Sequence, residues 1–208
     1  MEDAEARGAG RLSLAVGVVT GGSAVCLATY FLVGGPFGTI NDVGNATTAL
    51  LSAVLASRLR SLVSGRAGEV AVGAAVVGAA IANAGWALGV SGTTGFLLAG
   101  LVLSVGFAGI GARLLALNRG ERVMAWPRAL RRLGIAAGAL MALGIVAAPG
   151  IILQLDDMET APSCVWLGEL GWLGIYAIYL AWALWLGFTG MRPAPAAAVA
   201  VRRGGLGT

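Results

Sequence analysis

The sequence contains no histidine and no lysine. Without an imidazole the chain is closed to axial-histidine haem ligation, histidine zinc sites, Ser-His-Asp hydrolysis and HExxH proteolysis. Without a side-chain amine it forms no Schiff base to retinal or pyridoxal phosphate. Cysteine is scarce as well. Cys26 and Cys164 lie far apart in no CxxC pair, which excludes a membrane thiol relay and leaves a single disulfide open. Charged residues make up 12% of the chain, about half the share usual in a soluble domain.

Apolar residues take the place of the missing charge, at 58% of the chain with a mean hydropathy of +0.85. A membrane crossing needs about 20 apolar residues. Runs free of Asp, Glu and Arg cover 12–41, 43–57, 70–112, 133–155 and 170–191. The third is about twice the length of one crossing and is interrupted by Ser91-Gly92-Thr93-Thr94-Gly95, a cluster of turn formers. The first ends in Gly34-Gly35-Pro36-Phe37-Gly38, which stops one helix before another begins. The pattern predicts an all-α, polytopic bundle of six transmembrane helices, near 12–34, 39–59, 69–90, 94–117, 133–154 and 166–189. Residues 1–11 form an N-terminal segment, 12–189 the membrane domain and 190–208 a flexible tail.

All 14 basic residues are arginine, and they fall beside alternate ends of the spans. Loops 34–39, 91–94 and 155–165 carry none, and the last holds Asp156, Asp157 and Glu159. Positive charge is retained on the cytoplasmic side, so both termini are expected there. Span one is longer than a signal-peptide core and is diluted by Glu2, Asp3 and Glu5, which predicts a retained helix. The high Ala, Gly and Arg content without lysine points to a GC-rich coding sequence and a bacterial cytoplasmic membrane. Arginine in short groups beside apolar runs reads as topology rather than as a nucleic-acid surface.

Thirty-four glycines are more than twice the ordinary share. In lipid they allow close helix approach, expected at Gly134 with Gly138, at Gly168, Gly171 and Gly174, and at Gly106 with Gly109. Pro149-Gly150 is expected to weaken the fifth span. Residues 121–133, which mix Val123, Met124, Trp126 and Leu130 with arginines, read as an amphipathic stretch on the lipid surface.

Polar groups at membrane depth are costly, so they carry most of the functional signal. Asn41, Asn45, Thr48 and Ser52 recur at i, i+4, i+7 and i+11, one helical face, with Asp42 beside it. Asn83 and Trp86 of span three, Gln154 of span five, and Glu169, Trp172 and Tyr176 of span six fall in the same half of the bilayer, with Tyr30 of span one near them. That half holds five acids and no base, so a ligand there is expected to be a cation, a proton or an amine. The predicted ligand-binding set is Asn41, Asp42, Asn45, Asn83, Trp86, Glu169, Trp172 and Tyr176, with no catalytic residue and no cofactor. The plain alternative is that Asp42 and Glu169 only complement helix N-termini near the interface.

Three functions fit this pattern. The first is a small transporter or channel with an outward-facing polar pocket. The second is a sensor or assembly partner that meets a second copy or another membrane protein through its glycine-rich faces. The third is an intramembrane enzyme on lipid or isoprenoid substrates, with Asp42 and Glu169 as an acid/base pair.

Overall fold

The computed structural model of the chain describes residues 3–190 apart from Ser64, Met158 and Thr160, and leaves undescribed the side chains of residues 3–6, Cys164 and Glu169. The expected tail beyond Gly190 lies outside the described residues.

Proline and glycine punctuate the chain into long helices. Gly34 and Gly35 both have positive φ, 74° and 71°, and turn the end of α1 (Asp3–Val33) into Pro36, directly before α2 (Phe37–Arg58). Gly92, at φ 68°, does the same between α3 (Gly65–Val90) and α4 (Phe96–Arg119). Pro127 precedes α5 (Arg128–Ala142), which runs through a 3-10 segment, Leu143–Ala147, into α6 (Ala148–Ile152). Pro162 precedes α7 (Ser163–Leu173), which continues through a π-helical segment, Gly174–Tyr179, into α8 (Leu180–Gly190). Pro149 sits in the first turn of α6, where its missing N–H breaks least, and the expected weakening takes the form of the 3-10 segment just before it.

Five of these helical stretches are long and apolar enough to cross a membrane: Arg7–Val33, Gly65–Val90, Phe96–Arg119, Arg128–Ile152 and Val165–Gly190. The surface is that of a protein built for lipid. Val18, Val25, Phe31, Leu32, Ile152 and Trp166 are exposed, while Ser13, Thr20, Ser23, Asn41, Asn45, Thr48, Ser52, Arg113 and Asn118 are buried. Polar groups turned inward and apolar groups turned outward minimise exposure of polar atoms to hydrocarbon.

The helices pack as a ring, α1 on α2, α2 on α3, α3 on α4, α4 on α5, α5 on α7 and the π segment, and α8 back on α1. Phe107, Leu101, Met141, Ile175 and Trp182 fill its interior. Glycine sets the closest approaches. A Cβ on Gly78, Gly106 or Gly109 would meet backbone across the α3–α4 seam, one on Gly138 would meet the Gly111 carbonyl, and Gly174 lies against Leu140 and Met141.

Two loops tie the ends. The Asp156 carboxylate accepts from the Leu98 N–H at 3.3 Å and lies beside Gly95, so it complements the N-terminus of α4. At the opposite end the Arg122 guanidinium donates to the Ser61 carbonyl. The stretch 121–133 departs from the expectation of a lipid-surface segment. Glu121–Val123 forms one 3-10 turn, Arg128 starts α5, and Val123 and Leu130 are core residues, because burying them between helices removes more apolar area than leaving them at the interface. Of this stretch's large apolar residues Met124 is the largely exposed one.

Candidate functional site

The polar face of α2 is buried along its length: Asn41, Asn45, Thr48 and Ser52 are each at most 3% exposed. α1 and the π segment supply their partners. The Ser23 hydroxyl lies 2.9 Å from Asn41 Oδ1 and 3.0 Å from Asn45 Oδ1. The Tyr176 hydroxyl is 2.8 Å from Asn41 Oδ1 and 2.9 Å from Asn45 Oδ1, and its oxygen accepts from Asn45 Nδ2 at 2.7 Å. Two hydroxyl protons thus meet two amide oxygens. Deeper along the face, Thr48 pairs with Thr20 at 3.2 Å, and Ser52 with Tyr179 at 2.8 Å. The π segment aims both tyrosines at α2, and such segments recur where a helix has to redirect side chains into a site.

A cavity of about 310 Å³ opens above this network, at the end of the ring bearing the arginine-free loops. Asn41, Asp42 and Asn45 form its polar wall; Trp86, Trp172 and Tyr176 form an aromatic wall; Leu27, Leu97 and Leu103 close it with apolar surface. Phe31 and Phe96 line it and are also 72% and 55% exposed, so they mark its mouth. Trp172 stacks on Tyr176 with ring centroids 5.5 Å apart and meets Phe107 at 6.4 Å, which fixes both rings. The Trp86 indole N–H is buried and has no hydrogen-bond partner among the described residues.

Asp42 is the charged group in this wall. One oxygen accepts a long bond, 3.3 Å, from Asn41 Nδ2, and among the described residues no arginine pairs with it. It is the sixth residue of α2, beyond the first turn where the helix dipole favours an anion. A half-buried carboxylate with one weak partner is incompletely compensated, and a bound cation would complete it.

The structure brings Asn41, Asp42, Asn45, Trp86, Trp172 and Tyr176 together around one cavity. Asn83 stands apart from it: its Nδ2 donates to the Ala79 carbonyl at 2.9 Å and reaches the Ala46 carbonyl at 3.4 Å, a bond between α3 and α2. Gln154 is exposed in the loop after α6, with a positive φ of 51°. Tyr30 packs over Gly38 and against Phe31 and Phe96 behind the cavity mouth. The Glu169 side chain lies outside the described residues, and with it the proposed carboxylate pair. The Cys26 thiol is free, while the Cys164 side chain is also outside the description. Among the described residues no group of three or more His, Cys, Asp or Glu gathers to hold a metal.

Sequence reasoning missed Ser23, the hydroxyl that both asparagines share. Its signal was present: Ser13, Thr20 and Ser23 stand at i, i+7 and i+10, one face of α1, which meets the face of α2. The chain matches no family model, no curated protein and no solved structure.

Proposed function

We propose that the protein crosses the bilayer six times with both termini in the cytoplasm, and that its outer cavity binds an organic cation with an apolar body as the outward-facing state of a transporter. The sixth crossing is α2. Its 22 residues span about 33 Å at 1.5 Å per residue, enough for the hydrocarbon core. Its hydropathy is lowered by the polar face turned into the protein, while Ile40, Val43, Leu50 and Val54 face outward. The inward-polar face explains why composition alone undervalues this helix. Orientation follows from the segregation of arginine to one end of the ring and Asp156, Asp157 and Glu159 to the other.

The observation that carries the ligand class is the wall composition around Asp42. A bare ion would need several oxygen ligands, but the cavity offers one carboxylate, the Asn41 and Asn45 amide oxygens beside it being already hydrogen-bonded, and it has the volume of a small organic ligand site, about 300 Å³ or more. Tryptophan and tyrosine faces attract a cation through their quadrupoles, and the carboxylate supplies the opposite charge. The test is uptake of phenyltrimethylammonium, which does not cross bilayers unaided, into proteoliposomes. Wild type is expected to exceed protein-free vesicles and Asp42→Asn to lose the excess. Wild-type vesicles that take up no more than empty ones refute transport.

A further inference from the structure

A second charged group is buried at the opposite half of the ring. Arg113 of α4 is 3% exposed, two turns in from the arginine-rich end. Its NH2 donates to the Leu59 carbonyl at 2.9 Å and the Ala56 carbonyl at 3.3 Å, so one arm of the guanidinium caps the end of α2. Its Nε and NH1 are also buried and have no hydrogen-bond partner among the described residues. Arginine stays protonated in such surroundings, so the charge persists. The α2 carbonyls offset about half a unit of it at most. No carboxylate among the described residues pairs with it, and leaving a buried charge with unmade hydrogen bonds is strongly unfavourable.

Arg113 itself lines a small cavity of about 20 Å³ between α2, α4, the π segment and α8, walled also by Ala56, Leu59, Tyr179 and Trp182. That volume admits one species of about the size of water, far less than a phosphate or a carboxylate-bearing metabolite. The hydroxyls and indole nearby are already engaged: Tyr179 with Ser52, and the Trp182 N–H with Asn118 Oδ1 at 3.3 Å. The site therefore offers positive N–H donors inside an apolar, aromatic shell. A strongly hydrated fluoride would lose more on entry than it regains, whereas chloride and bromide give up their hydration more readily and, though larger than water, are still single atoms.

We propose that Arg113 holds a monatomic halide, chloride in the cell, between α2 and α4, independent of the ligand in the outer cavity. The test uses the full chain in lipid nanodiscs, with the melting temperature followed as chloride replaces gluconate at constant ionic strength. A saturable rise is expected with chloride and bromide and not with sulfate. Ala56→Val narrows the cavity with the guanidinium retained and is expected to abolish the rise. Arg113→Met should abolish it as well, and if that variant does not fold, Ala56→Val carries the test. In crystals grown with bromide, an anomalous peak is expected beside Nε or beside NH1, the two donors without a partner among the described residues. Wild type that melts alike in chloride and gluconate, a rise unchanged in Ala56→Val, or ordinary water density without an anomalous peak would each overturn the proposal.

Discussion

Replacing Gly106 by alanine tests the packing on which the bundle rests. A Cβ there would lie 2.5 Å from the Ala82 nitrogen, 2.6 Å from the Gly78 carbonyl oxygen and 2.8 Å from the Ala82 Cα. All three are backbone atoms of α3, so no side chain can rotate away, and the two helices must part by roughly an ångström to restore ordinary contact. Overpacking of this kind costs about 1–3 kcal/mol, and a clash with backbone alone belongs at the upper end. Gly73, on the exposed face of α3, is the control: its Cβ would meet nothing within 4 Å. There alanine is expected to stabilise by about 0.4–1 kcal/mol through reduced freedom of the unfolded chain. Unfolding in mixed micelles, titrated with SDS, should separate Gly106→Ala from Gly73→Ala by about 3–4 kcal/mol. Adding Gly78→Ala to Gly106→Ala should cost less than the single changes summed, because one separation of the helices relieves both clashes. A Gly106→Ala protein as stable as wild type would refute the glycine-mediated α3–α4 contact.

The polar interior and the topology give three more expectations. Tyr176→Phe should destabilise more than Tyr179→Phe, with each within about 0.6–1.7 kcal/mol by the same SDS titration. The first strands a buried Asn45 amide, whereas in the second Ser52 keeps its bond to the Thr48 carbonyl; the reverse order would contradict the network. Asp42→Asn without ligand should melt at or above wild type, since it removes an undercompensated charge and keeps an acceptor for Asn41, and a clear loss would mark the carboxylate as structural. In a background lacking both cysteines, a membrane-impermeant maleimide on intact cells should label Thr93→Cys and spare Arg122→Cys, and the opposite pattern would invert the orientation.

Helix positions were legible because each apolar run is bounded by a proline, a glycine turn or an arginine cluster. Pro36, Pro127 and Pro162 each stand immediately before a helix. The face of α2 was legible too, since Asn41, Asn45, Thr48 and Ser52 keep helical spacing inside an otherwise apolar stretch. Distances between helices were not. Nothing local distinguishes Asn83, which bridges α3 to α2, from Asn45, which faces the cavity, because the difference lies in how far α3 is rotated against α2. The role of Arg113 was hidden for a related reason: it closes a run of apolar residues and reads as one more topology signal, yet its side chain folds back under α2 instead of reaching the interface. Val123 and Leu130 read as lipid-facing in the sequence because an amphipathic pattern looks the same whether its apolar side meets acyl chains or a neighbouring helix.

The most direct test of the account is equilibrium binding of phenyltrimethylammonium to the nanodisc-embedded chain by calorimetry, in wild type, Asp42→Asn and Gly100→Leu. A charge pair about 5 Å apart at an effective dielectric near 20 is worth about 3 kcal/mol, so Asp42→Asn should weaken binding by about 100-fold. Gly100 lines the cavity and a Cβ there meets nothing within 4 Å, so leucine should fill the site and abolish binding without unfolding the bundle. Wild-type affinity in both variants, or no heat of binding in wild type, would contradict the cation site.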